Sequence, residues 1–407
     1  MSLADDLASL DTTGTEATLE PRPPQGWTPG IVWDGKAGTI TTPPLDAPPD
    51  DWSALLAARG MDPERYEIVG DTIRWCSYDG WRRDDPDSPA YSAQCFSFKA
   101  EIRLRRGADE ADAIDLEALA AEIRKTRPKK RPVPAGDGTW VVCLSDWQVG
   151  NRDAGGLRAQ LEAIAALPAL LTAQLKHVRK ARPVGHIVIA GLGDLVEGCS
   201  GYYSTQTFSV EANRRTQMRV VRRGVYEIVK VLAPLAERMT LTAVAGNHGE
   251  NRQGGKLVTD VADNDDVAVF EAIAERLAEN PDVYGHVACR LPEDRLAVSV
   301  ECDGHLVAFT HGHIARPRGI PINTIWEWWT TQAMGRRYPG VADASVLIAG
   351  HYHHLGIRVQ QNRALAIAPS LSAVGDWWGD ATGYTTSPGT LTFWMGPEGW
   401  ANIEVVR

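Results

Sequence analysis

The chain has 407 residues, enough for one large domain with an appendage or for two domains. Its apolar fraction of 43% suits a soluble globular protein with a sizeable core, and no apolar run is long enough to span a bilayer. A formal net charge of −10 excludes a surface that is basic all over but leaves room for local basic tracts.

Residues 1–50 are rich in Pro, Gly, Thr and Asp and lack periodicity, which predicts a largely disordered segment or one extended over a neighbour. The opening MSLADDLASLDTTG is acidic and polar rather than signal-like, so the expectation is a soluble, cytoplasmic protein without membrane association. Cys76, Cys95, Cys143, Cys199, Cys289 and Cys302 show no paired metal or redox spacing, which fits a reducing compartment. From 51 to 124 a small α+β module is predicted, with a helix at 52–59, strands near 66–76 and 93–104, and a helix in DLEALAAEIRKT. RPKKRPVPAGDG has the composition of a linker, taken as 125–137, and places a domain boundary near 134.

Beyond the linker, apolar runs alternate with helical stretches. TWVVCL leads into SDWQ, and LRAQLEAIAALPALLTAQLKHVRKA is helical, with Pro168 kinking it or opening a second helix. GHIVIAGLGDLVEG and MTLTAVAGNHGE read as strands on either side of the long helix around NRRTQMRVVRRG. NDDVAVFEAIAERLAEN is a helix with an Asn/Asp start. RLAVSVECDGHLVAFTHGH reads as a hairpin turning at Asp303-Gly304, and ASVLIAGHYHH as a further strand. RALAIAPSL and GTLTFWMGPEGWANIEVV are strand-like. The alternation predicts a layered α/β domain over 138–407.

Five of these strands run into metal-binding residue types: Asp146 and Gln148, Asp194, Asn247 with His248, His311, and His351 with His353. The carboxyl ends of strands are where α/β sheets bind ligands, and so many polar groups crowd together only at a cost that a cation offsets. Carboxylate, amide oxygen and imidazole together suit a borderline divalent ion such as Mn²⁺, Fe²⁺, Ni²⁺ or Zn²⁺. His351 and His353, two apart, share one face if the strand stays extended, and His354 then points away. Gly350 leaves room for backbone near the ions. His311, the first histidine after its apolar run, is preferred to His313, which could be a ligand or a neighbour.

The order D-x-Q, GD, GNH, H, GHxH resembles the calcineurin-like metallophosphoesterase superfamily over roughly 140–355, and within it the DNA repair and phage nuclease branch. The resemblance implies a β-sandwich flanked by helices and a centre of two divalent ions, Mn²⁺ foremost. Asp194 would bridge them; Asp146, Gln148 and His353 would hold one ion, and Asn247, His311 and His351 the other. Water activated between the ions would attack phosphorus in line. His248 matches the family's histidine that stabilises the transition state or protonates the leaving oxygen, and Glu197 the acid that orients and charges it. The first motif departs from the family's D-x-H. Gln148 is a weaker ligand than imidazole and binds loosely or acts through water.

Three stretches lean toward nucleic acid: the arginine-rich 213–224, the Trp/Arg stretch 325–340, and the basic 125–132. Each has a plainer reading, as a solvated helix face, an amphipathic core helix, or a linker. The aromatic stretch GDWWGDATGY could rim a pocket. The expectation is a DNA nuclease, exo- or endonucleolytic. Alternatives are a phosphomonoesterase or a cyclic-nucleotide or small-molecule phosphodiesterase. A non-catalytic DNA-binding or virion-associated protein is disfavoured by the intact carboxylate and histidines. Protein partners are unspecified, and a homo-oligomer is compatible with the chain.

Overall fold

The computed structural model describes residues 23–33, 37–47, 49, 51–59, 61, 63, 66–82, 89–104, 116–128, 136–152, 156–199, 202, 206, 209–253, 255–261, 263–291, 296–315, 319–372 and 387–407. The chain divides into two compact units, Met1–Gly107 and Ala108–Arg407.

The first unit is an antiparallel sheet of β1 (Gly30–Trp33), β2 (Ala37–Thr41), β3 (Tyr66–Ile68), β4 (Arg74–Arg82) and β5 (Tyr91–Leu104), with helix α1 (Trp52–Ala58). The fourteen-residue β5 is its spine and pairs with β2, β3 and β4. Asp51 caps α1 by accepting from Ser53 N, and Leu56 packs with Ile40, Ala100 and Ile102. β1 and β2 arise from the stretch expected to be disordered. Their alternation, GIVW and AGTIT, is too short to stand out among Gly and Pro, yet it buries Ile40. Residues 1–22 lie outside the described residues.

The second unit begins earlier than expected, with α2 (Leu116–Lys125). This helix was assigned to the N-terminal module, but Leu119 and Ile123 enter the second unit's core. Asn280 closes its end by donating Nδ2 to Ile123 O at 2.7 Å and to Thr126 O at 3.0 Å. Next come β6 (Thr139–Leu144), α3 (Gly156–Val178), β7 (His186–Gly191), α4 (Arg214–Leu232) and β8 (Arg238–Ala243). A short ribbon, β9 (Arg252–Gln253) and β10 (Lys256–Leu257), precedes α5 (Asp265–Ala278), α6 (Pro281–Tyr284) and β11 (Val287–Cys289). The hairpin β12 (Ala297–Cys302) and β13 (His305–Thr310) leads to α7 (Pro321–Gly335), α8 (Pro339–Asp343) and β14 (Val346–Ala349). β15 (Gly356–Gln360), β16 (Arg363–Ile367), β17 (Thr390–Gly396) and β18 (Gly399–Val406) complete it. Pro168 sits inside an uninterrupted α3.

These strands form two sheets, in the orders β11-β8-β7-β6-β17-β18 and β12-β13-β14-β16-β15. Val141, Cys143, Val188 and Ala190 of the first meet Val307, Phe309, Ile348 and Ala366 of the second in an apolar middle layer. The other face of the first sheet packs on α2 to α5, and that of the second on α7 and α8. The result is a β-sandwich flanked by helices. β6, β7, β8 and β14 are largely covered on both sides; β6, β7 and β14 read as near-continuous apolar runs, while β8 alternates Thr240 and Thr242 with Met239, Leu241 and Ala243. β6, β7 and β8 run parallel, as do β13 and β14, so each set delivers its carboxyl ends to one edge. Among the described residues no helix is long and apolar enough to cross a membrane.

The tryptophans of α7 are largely structural. Trp329 is 1% exposed and donates Nε1 to Val341 O at 2.8 Å, while Trp326 and Trp328 pack against the same cluster. Trp329→Ala is expected to lower stability by about 3–5 kcal/mol, read from the denaturant midpoint, as for other buried tryptophans. A loss below about 1 kcal/mol would remove it from the core.

Candidate metal centre

Three of the five strands, β6, β7 and β14, run into residues in the left-handed region. Among the described residues only nine non-glycine residues have positive φ, and five are Asp146 (50°), Gln148 (43°), Asp194 (52°), His351 (72°) and His353 (58°). Such conformations are costly and persist where surrounding contacts enforce them. The enforcement is visible. The loops after β6 and β7 stay zipped by Asp146 N to Gly193 O, Gln148 N to Asp194 O and Val149 N to Leu195 O. Gln160 of α3 donates to Gln148 O and Asn151 O and accepts from Gly150 N. Gln217 of α4 grips both backbone atoms of Gly198, and Gln206 donates to Glu197 O. Gly350 has no room for a side chain, since a Cβ would lie 2.5 Å from Ser145 Oγ and 3.0 Å from Asp146 Oδ2.

Four groups converge on one point. His311 Nε2 lies 2.9 Å from Asp194 Oδ2, 3.0 Å from Asn247 Oδ1 and 3.2 Å from His351 Nδ1. His311 Nδ1 donates to Leu192 O at 2.7 Å, so one proton is committed there and Nε2 would turn a lone pair inward once its own proton is lost. One imidazole nitrogen cannot satisfy three such neighbours with a single proton. A cation at their centre can, and Asp194, His311 and His351 have the spacing to hold one.

A second grouping lies beside it. His353 Nε2 is 3.2 Å from Asp146 Oδ1, yet that buried oxygen makes no hydrogen bond, as when two donors of electrons aim at a shared third position. Asp146 Oδ2 accepts from Ser145 Oγ and from His351 N. The donor set of carboxylates, imidazoles and amide oxygen fits divalent ions of the borderline kind. Gln148 meets His248 instead, Nε2 to Nε2 at 3.5 Å. His313 stands next to the first grouping, its ring 5.3 Å from that of His311, with Nε2 3.8 Å from Glu250 Oε1. His354 donates Nδ1–H to Tyr352 O, 2.7 Å away.

Histidines 351 and 353 do not share a strand face, as an extended run would require. β14 ends at Ala349, and the left-handed backbone at both residues does the aiming.

His248 stands outside the ligand groupings, its Nε2 3.9 Å from Asp194 Oδ2. Its Nδ1 lies 3.2 Å from both Glu197 Oε2 and Glu197 O, and the Tyr202 ring lies tilted against it at 4.5 Å between centres. Burial alone would strip its proton, but the Asp194 and Glu197 carboxylates outweigh burial and raise its pKa to about 10. Against the same burial, Asp194 lifts His311 to about 9. Burial and the His311 charge push His351 down to about 4 and His313 to about 3. Asp194 is driven the other way from what burial favours, held far below the usual carboxylate range by His311 and His248. In the ion-free site His248 and His311 therefore hold protons beside the ionised Asp194, and a cation entering there would displace the His311 proton.

Two arginines of the 213–224 tract are engaged within the fold. Arg214 forms two 2.6 Å bonds to Asp265, and Arg223 pairs with Glu122 and Glu227. Residues 129–132 and the GDWWGDATGY stretch lie outside the described residues.

No family model matches the sequence, and no curated protein matches it. Among solved structures the chain is similar to vacuolar protein sorting 29 from Cryptosporidium parvum, at 11% identity and a TM-score of 0.29, covering 64% of this chain and 87% of that one. It is similar to Vps29 complexed with zinc from Entamoeba histolytica, at 12% and 0.29, covering 66% and 99%. It is also similar to an archaeal phosphodiesterase, at 14% and 0.29, covering 65% and 99%. At such scores, what the site can do rests on its own geometry.

Proposed function

We propose that this chain hydrolyses phosphate esters with a pair of divalent ions, acting on phosphodiesters, a nucleic acid strand foremost. The observation that carries the reading is the convergence of Asp194, Asn247, His311 and His351 on one point, with a charged histidine alongside. Asp194, Asn247, His311 and His351 would hold one ion, and Asp146, His353 and Asp194 the other, with Gln148 near its rim. Bound there, such ions supply charge stabilisation for phosphoryl oxygens and a water of lowered pKa. His248 offers a proton at Nε2 while Glu197 fixes Nδ1, so the pair suits an alkoxide leaving group that needs protonation.

Nucleic acid as substrate is supported by the sequence stretches more than by their placement, since Arg214 and Arg223 are paired with carboxylates of the fold and Trp329 is buried. That commitment favours a second reading, a phosphodiesterase or monoesterase of small molecules. A metal-supplemented screen over single-stranded DNA, duplex DNA, RNA and bis-p-nitrophenyl phosphate separates them. Turnover of the small ester alone would select the second.

Chelation is expected to abolish activity, with Mn²⁺ restoring it better than Mg²⁺, because imidazole ligands suit Mn²⁺ and Mg²⁺ prefers an all-oxygen shell. Undiminished turnover after exhaustive EDTA dialysis would end the two-ion proposal.

A further inference from the structure

Asp266 is a buried carboxylate for which the chemistry above has no use. It stands in the first turn of α5, 0% exposed, just behind the Asn264 cap. Its Oδ2 accepts from Asp194 N at 2.9 Å and from Gly246 N at 3.2 Å. Its Oδ1 accepts from Leu195 N at 2.9 Å and Val196 N at 3.3 Å. One carboxylate thus gathers four amides from two loops, of which one carries Asp194 and the other Asn247. Asn264 grips the second loop from its other side, donating Nδ2 to Gly246 O at 2.8 Å.

The two loops could not close further. A Cβ on Gly246 would sit 2.1 Å from Asp194 N and 2.8 Å from Asp266 Oδ2, so glycine is required for the approach. Asp194 also sits at a φ of 52°, a conformation that needs an outside hold. Asp266 supplies it through the Asp194 amide itself. Holding four amides in this way also keeps them off the Asp194 carboxylate, leaving Oδ2 to face His311.

Resting on the metal centre proposed above, we propose that Asp266 is a positioning residue that sets the spacing of Asp194 and Asn247, and through it the affinity of the ion they share with His311 and His351. An asparagine in its place keeps the shape but offers one acceptor oxygen, and turns an NH₂ against amide hydrogens. Groups that orient metal ligands typically change ion affinity about 10- to 100-fold when altered.

The test is calorimetric titration of Mn²⁺ into the EDTA-stripped full chain, for the wild type, Asp266→Asn and Asp266→Glu, beside thermal unfolding and kcat at rising Mn²⁺. The glutamate variant keeps the charge but displaces the oxygens by a methylene, and serves if the asparagine variant does not fold. The expected result is a folded variant whose affinity for one ion falls about 10- to 100-fold, with turnover recovering toward the wild-type value at high Mn²⁺. Lower stability with unchanged ion affinity would overturn the proposal and leave Asp266 a structural group. A wild type that binds no Mn²⁺ would instead overturn the metal centre, and this role with it.

Discussion

Replacing His248 by alanine is expected to leave both ions bound while lowering turnover of an oligonucleotide by roughly 10²–10⁴-fold, the range for a positioned acid. The geometry separates this histidine from the ligands. Its Nε2 faces the centre from 3.9 Å off Asp194 Oδ2, and its Nδ1 is held by Glu197. With a pKa raised to about 10 in the ion-free site, it is protonated throughout the neutral range and loses that proton only as the pH rises past that value. A phosphodiester with nitrophenolate as leaving group departs without protonation, so bis-p-nitrophenyl phosphate should suffer less than DNA. Glu197→Gln should show a milder form of the same pattern, because it acts only through His248. Metal content by elemental analysis, beside kcat on both substrates, decides the matter. Loss of an ion would make His248 a ligand. Equal damage on both substrates with ions retained would rule out leaving-group protonation and leave electrostatic stabilisation alone.

Asp194→Asn is expected to be the most damaging single change at the ligands, costing roughly 10³-fold or more, since several kcal/mol of charge stabilisation depend on the ions it would hold. Asp194 is 1% exposed, accepts His248 N through Oδ1 and faces His311 Nε2 through Oδ2, so both carboxylate oxygens are in use. A neutral amide in its place cannot offset the repulsion between two cations. Gln148→Ala removes a side chain whose contact is with His248, and the expected cost is about 10- to 100-fold, the scale of an orienting group. If Gln148→Ala proves the worse of the two in kcat/KM, the ligand set must be redrawn.

The strand endings that build this site are legible because buried parallel strands are mostly apolar, so Asp146, Asp194, Asn247, His311 and His351 stand out where each run ends. The layered α/β class followed from the same alternation. What was not legible depends on the third dimension. Left-handed backbone at His351 and His353 leaves no mark in residue type, and an extended strand was the natural but mistaken extrapolation. Gln160, Gln217 and Asp266 hold the loops from helices, and their one signal is a polar residue on a face otherwise apolar, as with Gln160 between Leu157 and Ile164. α2 was misplaced because a short amphipathic helix does not announce which core it serves. β1 and β2 were lost among Gly and Pro, where four residues of alternation are indistinguishable from chance.

Three of the ligand loops hang from one sheet and two from the other, and Asp194 meets His311 across the join. The distance between the two sets is therefore not chosen at the site at all. It is gauged by the apolar middle layer, where small side chains such as Ala190, Ala364 and Ala366 stand opposite larger ones such as Phe309 and Phe393. The thickness of that filling acts as a spacer between the two sets of loops. A change in the bulk of these core side chains would therefore be expected to alter the gap between Asp194 and His311 while touching neither.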